Sequence, residues 1–310
     1  MLLVKELTDN SNLELPQVMS ILLDGSKKYK VYTIPKRTHG RRTIAHPAKP
    51  LKYLQRLFVD LHPLPFHSNS VAYRKGYSIK NNAEFHKGNQ YLLKMDLANY
   101  FNSLTTDVFW NEYNRNGIDL SFELSKSWIE NLLFWQKNQN ELVLSVGAPT
   151  SPMISNFCMF RFDEILTTHC LKNGISYTRY ADDLTFTTNT KNTLFHLPDK
   201  VETFLKAIYG NVLSVNHQKT VFSSKAHNRH VTGLTITNEG FISLGRNRKR
   251  YIKHLVHYFL LNKLNKEDVL HLKGLLSFAK HVEPKFCETI DVKYGANTIQ
   301  RVLEVGNELK

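Results

Sequence analysis

Residues 175–188 of the chain read ISYTRYADDLTFTT. β-Branched and aromatic residues fill the runs 175–180 and 184–188, which is typical of two strands joined by a short turn. Two adjacent aspartates inside one strand point to opposite faces, so Asp182 and Asp183 converge only where the chain bends between strands. The sequence therefore predicts a β-hairpin with two carboxylates at its tip.

A third carboxylate ends another predicted strand. The apolar run 91–95 stops at Asp96. If this strand lies beside the hairpin, Asp96, Asp182 and Asp183 form a cluster of hard oxygen ligands that suits Mg²⁺. Such carboxylates repel one another without a cation, whereas two cations roughly 3.5–4 Å apart would activate an attacking hydroxyl and stabilise a leaving pyrophosphate. Asp-Asp is also a common turn dipeptide, so the pair alone leaves an ordinary surface turn as an alternative.

The charge balance favours a polyanionic partner. The 310 residues include 41 Lys and Arg against 27 Asp and Glu, a net charge of +14. This excess points above all to nucleic acid, although ribosome-associated and membrane-surface proteins share it. Charges at positions 5 and 6 leave no room for the apolar core of a signal peptide, and no apolar run is as long as a membrane span. We therefore expect a cytoplasmic protein with no membrane partner.

The remaining elements follow from strand and cap patterns. The runs 29–34 and 42–44 predict a basic hairpin. Thr106 is predicted to cap one helix, and Ser151 another whose first residue is proline. Beyond residue 245 the pattern becomes helical and basic, which predicts a separate helical lobe of about 65 residues. Three widely spaced cysteines without a C-x-x-C predict neither a disulfide nor a zinc site.

Four strings, in order along the chain, resemble the palm motifs of the reverse transcriptases. They are Lys94-Met95-Asp96-Leu97-Ala98-Asn99-Tyr100-Phe101, Gly147-Ala148-Pro149-Thr150-Ser151-Pro152, Tyr180-Ala181-Asp182-Asp183 and Asn216-His217-Gln218-Lys219-Thr220. The resemblance implies an α+β right-hand polymerase that copies RNA into DNA. It implies fingers at residues 1–90, a palm with an antiparallel sheet backed by helices at 91–244, and a helical thumb that binds RNA at 245–310. A fingers segment is expected to be inserted in the palm at about 107–145.

The resemblance also implies a role for particular residues. Asp96, Asp182 and Asp183 are then catalytic and, together with Leu97, hold two Mg²⁺ ions. The expected contacts of the deoxynucleoside triphosphate are Arg42, Phe101, Val146, Gly147 and Lys219. The ring of Phe101 would exclude a 2′-hydroxyl, and Lys219 would donate to the leaving pyrophosphate. Where the family usually has Gln, this chain has Val146, which cannot donate a hydrogen bond to the nucleotide.

Two further strings resemble those of the bacterial retron reverse transcriptases. They are Asn82-Ala83-Glu84-Phe85-His86 (N-A-x-x-H) and Val231-Thr232-Gly233 (V-T-G). This subgroup implies a cognate structured noncoding RNA as template and primer, priming from a guanosine 2′-hydroxyl, and a branched RNA–DNA product (msDNA). It also implies antiphage defence, with an effector protein as a possible partner. The residues expected to bind RNA are Asn82, His86, Val231, Thr232, Gly233, Arg248, Lys249 and Arg250.

Other interpretations stay open at this point. A group II intron or diversity-generating reverse transcriptase shares the palm motifs, but intron enzymes usually carry maturation or endonuclease extensions that this sequence lacks. A protein of another class, a non-catalytic RNA-binding scaffold derived from a reverse transcriptase, is favoured only by Val146. The intact Asp96, Asp182 and Asp183 favour an active polymerase.

Overall fold

The computed structural model describes residues 2–36, 40–117 and 126–305. The chain divides into two compact units. Unit 1 comprises Met1–Lys75, Leu93–Phe186 and Thr190–Val221, and unit 2 comprises Gly76–Leu92, Thr187–Asn189 and Phe222–Lys310. Because residues 76–92 group with the C-terminal part of the chain, this division does not test the bounds of fingers, palm and thumb, which stay a prediction.

Unit 1 opens with three helices, α1 (Leu2–Asp9), α2 (Leu15–Leu23) and α3 (Lys49–Leu61), which pack against one another. Between α2 and α3 the chain forms an antiparallel hairpin of β1 (Tyr29–Pro35) and β2 (Arg41–Pro47). The predicted basic hairpin is therefore confirmed.

A four-stranded sheet carries the ends of the two strands that the sequence singled out. β6 (Ser176–Tyr180) ends and β7 (Asp183–Thr188) begins on either side of Ala181 and Asp182, so the predicted carboxylate hairpin is confirmed. β3 (Tyr91–Asp96) lies next to β7, and β8 (Val221–Ser224) lies on the other side of β3. This adjacency of β3 and β7 is what brings the end of β3 to the hairpin.

Unit 1 also contains several helices and a small hairpin. They are α5 (Tyr100–Ser103), α6 (Thr106–Arg115), α7 (Lys126–Leu133), β4 (Trp135–Asn138), β5 (Glu141–Val143), α8 (Ser151–Cys158), α9 (Phe160–Lys172) and α10 (Leu197–Tyr209). α9 packs on β6 and α10 packs on α9. Three fully buried rings, Phe109, Phe134 and Phe157, fill the space between α6, α7 and α8 with edge contacts at 5.9 and 5.6 Å. Because aromatic rings bury large apolar areas, this cluster contributes strongly to the core.

Both predicted helix caps are wrong by one residue. Thr105, not Thr106, caps α6, and its Oγ1 accepts a hydrogen bond from the amide of Val108 at 3.4 Å. α8 already includes Ser151, and the residue before it, Thr150, occupies the cap position. In each case two neighbouring hydroxyl residues fit the same pattern, and only the backbone conformation distinguishes them.

Unit 2 contains α4 (Ile79–His86), a three-stranded antiparallel sheet and four further helices. The strands are β9 (Arg229–Val231), β10 (Leu234–Ile236) and β11 (Ile242–Ser243), with β10 in the middle. The helices are α11 (Arg246–Leu260), α12 (Lys266–Val282), α13 (Pro284–Tyr294) and α14 (Thr298–Glu304). One apolar cluster joins buried side chains of all four helices to those of β9 and β10. The helical pattern predicted beyond residue 245 is confirmed.

The predicted α+β class, an antiparallel sheet with packed helices, is confirmed. Among the helices of the described ranges, none combines the length and the apolar character needed to cross a bilayer.

Candidate active site

Asp96 occupies the last position of β3 and is tied to the segment that follows α10. Its side chain is almost buried, with 6% of the residue exposed. Oδ2 accepts a hydrogen bond from Nζ of Lys219 at 2.8 Å, and Oδ1 accepts from Nδ2 of Asn216 at 3.3 Å. The main-chain carbonyl of Asp96 accepts from the amide of Asn216 at 2.7 Å. The carboxylate of Asp96 is therefore paired with an ammonium group.

The hairpin turn is held against the end of β3 by the main chain. Ala181 adopts a left-handed conformation, with φ of 57°, and this reverses the chain between β6 and β7. The carbonyl of Asp182 accepts a hydrogen bond from the amide of Leu97 at 3.0 Å. Asp96 and Asp182 thus belong to segments joined by a direct hydrogen bond. Leu97, a predicted metal ligand, is buried beside them.

The carboxylates of the site repel one another. Burial, then the charge of Asp96, raises the pKa of Asp182 above its ordinary value. Burial also raises the pKa of Asp183, to about 6, although the ammonium of Lys94 opposes the shift; Asp182 and Asp96 raise it further. A nearby cation would relieve this repulsion and keep both groups ionised.

In the arrangement that the structure shows, the three aspartates are not grouped around a single metal position. Across residues 2–36, 40–117 and 126–305, no group of three or more His, Cys, Asp or Glu side chains is arranged to hold a metal ion. Asp96 and Asp182 line the same cavity, and Asp183 does not. Asp96 and Asp182 therefore fit a divalent cation, because carboxylate oxygens are its usual ligands, whereas the part of Asp183 stays a prediction.

A cavity of about 730 Å³ in unit 1 opens in front of Asp96 and Asp182. Of the predicted nucleotide contacts, Arg42, Phe101, Val146 and Lys219 line it. Two more basic side chains, Lys36 and Arg41, also line it. A cavity with carboxylates on one wall and cations on others suits a phosphorylated ligand bound together with a metal ion.

Gly147 lies beside the cavity rather than in its lining. Its φ is 132°, and a Cβ at this position would stand 3.1 Å from the carbonyl oxygen of Ala45. The neighbouring carbonyl of Val146 accepts a hydrogen bond from the amide of Ala45 at 3.2 Å. Glycine is therefore required by the close approach of two backbones, which accounts for Gly147 without any contact to a nucleotide.

Arg41 and Arg42 differ in what they bind within the protein. Nε of Arg41 donates to Oγ1 of Thr33 at 2.7 Å, and Nη2 donates to the carbonyl of Thr33 at 3.1 Å. Burial raises the pKa of Asp182, and the charge of Arg42 opposes this shift, so the guanidinium acts on the acidic wall of the cavity. Both arginines thus line the cavity, and Arg41 is in addition held by Thr33 of its own hairpin.

Two residues of this region were missed by sequence reasoning. Tyr73 lines the cavity, is 51% exposed and has φ of 62°, which is uncommon for a residue with a side chain. Partial burial, then the charge of Asp182, raises the pKa of Tyr73 to about 12. Arg179 is fully buried behind the turn. Its signal in the sequence was a charged residue inside a strand that otherwise reads as buried.

The predicted RNA-binding residues of unit 2 fall into three groups, and the first is buried in the interior of the unit. Asn82, His86 and Val231 are buried. Nδ1 of His86 lies 2.8 Å from Oγ1 of Thr187, and burial lowers the pKa of this histidine to about 3. These side chains shape the interior of unit 2, and their contact with RNA stays a prediction.

Thr232 and Gly233 form the two-residue turn between β9 and β10, where Val231 pairs with Leu234. Their φ angles are 46° and 80°, and two positive values are the requirement of a type I′ hairpin turn. Oγ1 of Thr232 donates to the carbonyl of Ile79 at 3.3 Å and so fixes the turn to the start of α4. The V-T-G string is thus explained by hairpin geometry.

The predicted basic patch lies in the first turns of α11. Nζ of Lys249 donates to Oε1 of Glu283 at 2.8 Å. The guanidinium of Arg248 lies 5.3 Å from the ring centre of Phe278. Arg250 is exposed. Lys249 is therefore partly neutralised, while Arg250 presents its charge to solvent.

Comparison with known proteins places these features in context. Residues 34–236 match the family described as Reverse transcriptase (RNA-dependent DNA polymerase). The chain is 45% identical over 279 residues to the Retron Ec83 reverse transcriptase of Escherichia coli, covering 88% of this chain and 89% of that protein. It is 31% identical over 303 residues to the Retron Ec73 reverse transcriptase of Escherichia coli, covering 94% and 95%.

Solved structures give a more distant likeness. An apo telomerase from Candida tropicalis truncated from its C-terminal domain aligns with 17% identity and a TM-score of 0.46, over 68% of this chain and 53% of that one. A foamy viral protease-reverse transcriptase in complex with double-stranded DNA aligns with 16% identity and a TM-score of 0.46, over 94% and 46%. The chain thus spans about half the length of these structures.

Proposed function

Since this chain belongs to the reverse transcriptase family, and within it to the bacterial retron enzymes, we propose that it copies a cognate structured noncoding RNA into DNA with Asp96, Asp182 and Asp183 as the catalytic carboxylates. RNA-directed DNA polymerase activity and an RNA template are properties of the family. The observation that carries the proposal is the meeting of Asp96 and Asp182 at one cavity, which Arg42 and Lys219 also line.

Divalent cations are a general requirement of this family, and we propose two Mg²⁺ ions here. When bound, they would lower the pKa of the attacking hydroxyl and offset the charge of the leaving pyrophosphate. Asp96 and Asp182 would hold them, with Asp183 and the carbonyl of Leu97 as the remaining proposed ligands. The raised pKa of Asp182 supports this assignment, because repelling carboxylates are stabilised by a cation.

The other residues of the cavity would bind and orient the nucleotide. The planar guanidinium of Arg42 suits bidentate contact with the triphosphate. Lys219 is the proposed donor to the leaving pyrophosphate, and its Nζ already lies at the acidic wall, 2.8 Å from Asp96. Phe101 would lie beneath the sugar and exclude a 2′-hydroxyl. Val146 would contact the nucleotide only through apolar atoms.

We also propose the template, primer and product that are typical of the retron enzymes. The cognate RNA would serve as template and as primer from a guanosine 2′-hydroxyl, leaving a branched RNA–DNA product. The excess of basic residues supports tight binding of such an RNA. We further propose a cytoplasmic role in antiphage defence together with an effector protein, on the strength of the retron relatives.

A non-catalytic RNA-binding scaffold is the second candidate. Two observations favour it: Val146 replaces the usual Gln, and the described residues include no ready-made group of three metal-binding carboxylates. The two candidates differ in whether the chain extends a primer.

Primer extension on an RNA template with Mg²⁺ tests the proposal. Asp182→Asn should abolish DNA synthesis while RNA binding persists, because the metal site is lost and the basic surface remains. The matched control is Asp60→Asn, an exposed aspartate of α3 in unit 1, which should extend primers like the wild type. Near-normal synthesis by Asp182→Asn would remove this active site, and an inactive wild type would favour the scaffold.

A further inference from the structure

Arg179 is a fully buried cation whose donors are all engaged. Nε donates to Oδ1 of Asp163 at 2.9 Å, and Nη2 donates to Oδ2 of Asp163 at 2.6 Å. The hydroxyl of Tyr177 also donates to Oδ1 of Asp163, at 2.7 Å. Both carboxylate oxygens of Asp163 thus accept hydrogen bonds, from the guanidinium of Arg179 and from the hydroxyl of Tyr177.

A buried ion pair is weak evidence of a stabilising role. The cost of removing two charges from water often equals the gain from their attraction, and well-packed apolar residues of similar volume serve stability as well. What a guanidinium offers that apolar residues do not is a planar fork of five N–H donors in fixed directions. The remaining donors of Arg179 therefore indicate its task.

The first of these donors holds the hairpin turn. Nη1 of Arg179 donates to the carbonyl of Ala181 at 3.1 Å. Ala181 is the left-handed residue of the turn, and the next carbonyl, that of Asp182, is held by the amide of Leu97. Two consecutive carbonyls before Asp183 are thus fixed, one by a side chain and one by the end of β3.

The second contact reaches the wall that carries Phe101. Nη1 of Arg179 also donates to the hydroxyl oxygen of Tyr100 at 2.9 Å, and that hydroxyl donates to the carbonyl of Ser155 at 3.1 Å. The ring of Tyr100 meets the ring of Phe101 edge to face at 5.2 Å. The position of Phe101 in the cavity therefore depends on a tyrosine that Arg179 holds from behind.

The third contact reaches the segment that carries Tyr73. Nη2 of Arg179 donates to Oγ of Ser70 at 3.0 Å. The main chain of Arg179 pairs with the same segment. The carbonyl of Arg179 accepts a hydrogen bond from the amide of Val71 at 2.9 Å, and the amide of Arg179 donates to the carbonyl of Asn69 at 2.8 Å. Tyr73 follows only three residues after Ser70.

One more side chain closes the network. Oδ1 of Asn156, on α8, accepts from Ser70 Oγ at 2.7 Å, and its Nδ2 donates to the carbonyl of Ala72 at 2.9 Å. The residue before Tyr73 is thereby held as well. All of these residues belong to unit 1.

We propose that Arg179 is a positioning residue that fixes three walls of the nucleotide cavity in one frame: the turn bearing Asp182, the Tyr100–Phe101 wall and the segment bearing Tyr73. The inference rests on the proposed function in taking this cavity as the nucleotide site. It deepens that function by naming what sets the distance between the metal-binding turn and the wall beneath the sugar. Arg179 itself does not line the cavity.

Two variants separate positioning from folding. Arg179→Lys keeps the buried charge opposite Asp163 but cannot reach Ala181, Tyr100 and Ser70 together, because an ammonium is a compact group on a flexible stem. The pair Arg179→Gln with Asp163→Asn removes both charges and leaves no buried ion unpaired. Tyr177→Phe is the control, since it removes one hydrogen bond to Asp163 and leaves the three wall contacts in place.

The first measurement is independent of activity. Hydrogen exchange of the Leu97 amide reports whether the turn stays on β3, because this amide donates to Asp182. In folded protein we expect exchange about tenfold faster in both Arg179 variants, as expected for one weakened hydrogen bond, and wild-type exchange in Tyr177→Phe. Unchanged exchange in both Arg179 variants would overturn the proposal, even if the wild type proved inactive as a polymerase.

The second measurement is steady-state nucleotide incorporation at a temperature at which circular dichroism shows every variant folded. We expect kcat/KM of the Arg179 variants to fall on the order of a hundredfold, with a raised KM and a weaker preference for deoxyribonucleotides. Tyr177→Phe should lower only the unfolding midpoint. Wild-type kcat, KM and sugar preference in both Arg179 variants would mean that the network serves stability alone and would overturn the proposal.

Discussion

Replacing His86 by Gln should remove a pH-dependent part of the stability of unit 2. His86 is the last residue of the N-A-x-x-H string, and in the structure it is fully buried at the end of α4, with Nδ1 2.8 Å from Oγ1 of Thr187. Glutamine keeps hydrogen-bonding groups near Thr187 but does not titrate between pH 4 and 8. The substitution thus separates the charge of the imidazole from its polar contact.

The magnitude follows from the pKa of His86, which burial lowers from 6.5 to about 3. The folded protein keeps the ring neutral, whereas the unfolded chain takes up a proton near pH 6.5. The contribution of the neutral His86 to the free energy of unfolding is therefore fully present above about pH 6.5, and it is lost as the pH falls from there toward 3. Between pH 6.5 and about pH 5 the free energy of unfolding falls by roughly 2 kcal/mol, because each pH unit in this interval costs ~1.36 kcal/mol.

Urea unfolding at about pH 7.5 and pH 5 measures this difference. Between the two pH values, the free energy of unfolding of the wild type should fall by roughly 2 kcal/mol more than that of His86→Gln. The control His227→Gln, which changes an exposed histidine of unit 2, should behave like the wild type. Equal losses for wild type and His86→Gln would refute the assignment of a neutral, structural histidine. Unchanged stability combined with lost RNA binding would instead support direct contact with RNA.

Three further outcomes are expected from the cavity and the basic patch. Phe101→Ala should admit ribonucleotides while keeping some DNA synthesis, because overpacking a 2′-hydroxyl against a ring costs about 1–3 kcal/mol, or roughly ten- to hundredfold in selectivity; unchanged sugar selectivity in competition assays would contradict it. Val146→Gln should lower the KM for nucleotide without altering the chemical step, since it adds an amide donor at the cavity; a raised KM would show a pocket built around valine. Alanine in place of Arg248, Lys249 and Arg250 together should weaken RNA binding and, in salt titrations, flatten the slope of log K against log salt by about 1 to 3, because Lys249 is already paired with Glu283. Binding unaffected by this triple change would place the RNA elsewhere.

Local patterns were enough to predict the elements that carry the site. The carboxylate hairpin and the strand ending at Asp96 follow from β-rich runs interrupted by acidic residues, and the structure confirms both. The cap positions failed because Thr105 and Thr106, like Thr150 and Ser151, are adjacent hydroxyl residues. A single-residue shift of this kind is decided by backbone angles, which the sequence pattern does not contain.

Contacts across long stretches of chain were beyond the sequence. Lys219 was predicted to serve the leaving group, but its ion pair with Asp96 spans 123 residues. The partners of Arg179 include Ser70, 109 residues away. Nor does a short motif reveal burial, since the string that predicts an RNA contact for His86 gives no sign that this histidine is buried. The fold decides whether a polar residue of a motif faces solvent or fills the core.

The hairpin of β1 and β2 imposes a rule on how this part of the chain can change in length. Side chains alternate along β2, so Arg41 and Arg42 lie on opposite faces. Ala45 determines which face of β2 is buried, because its side chain is buried and its amide donates a hydrogen bond to the carbonyl of Val146. One residue inserted or deleted between Arg42 and Ala45 would move both arginines to the opposite face of the strand, which would break the hydrogen bonds of Arg41 to Thr33 and displace the guanidinium of Arg42 relative to Asp182. Length differences among relatives should therefore collect between Pro35 and Arg41, and grafted loops should be placed there.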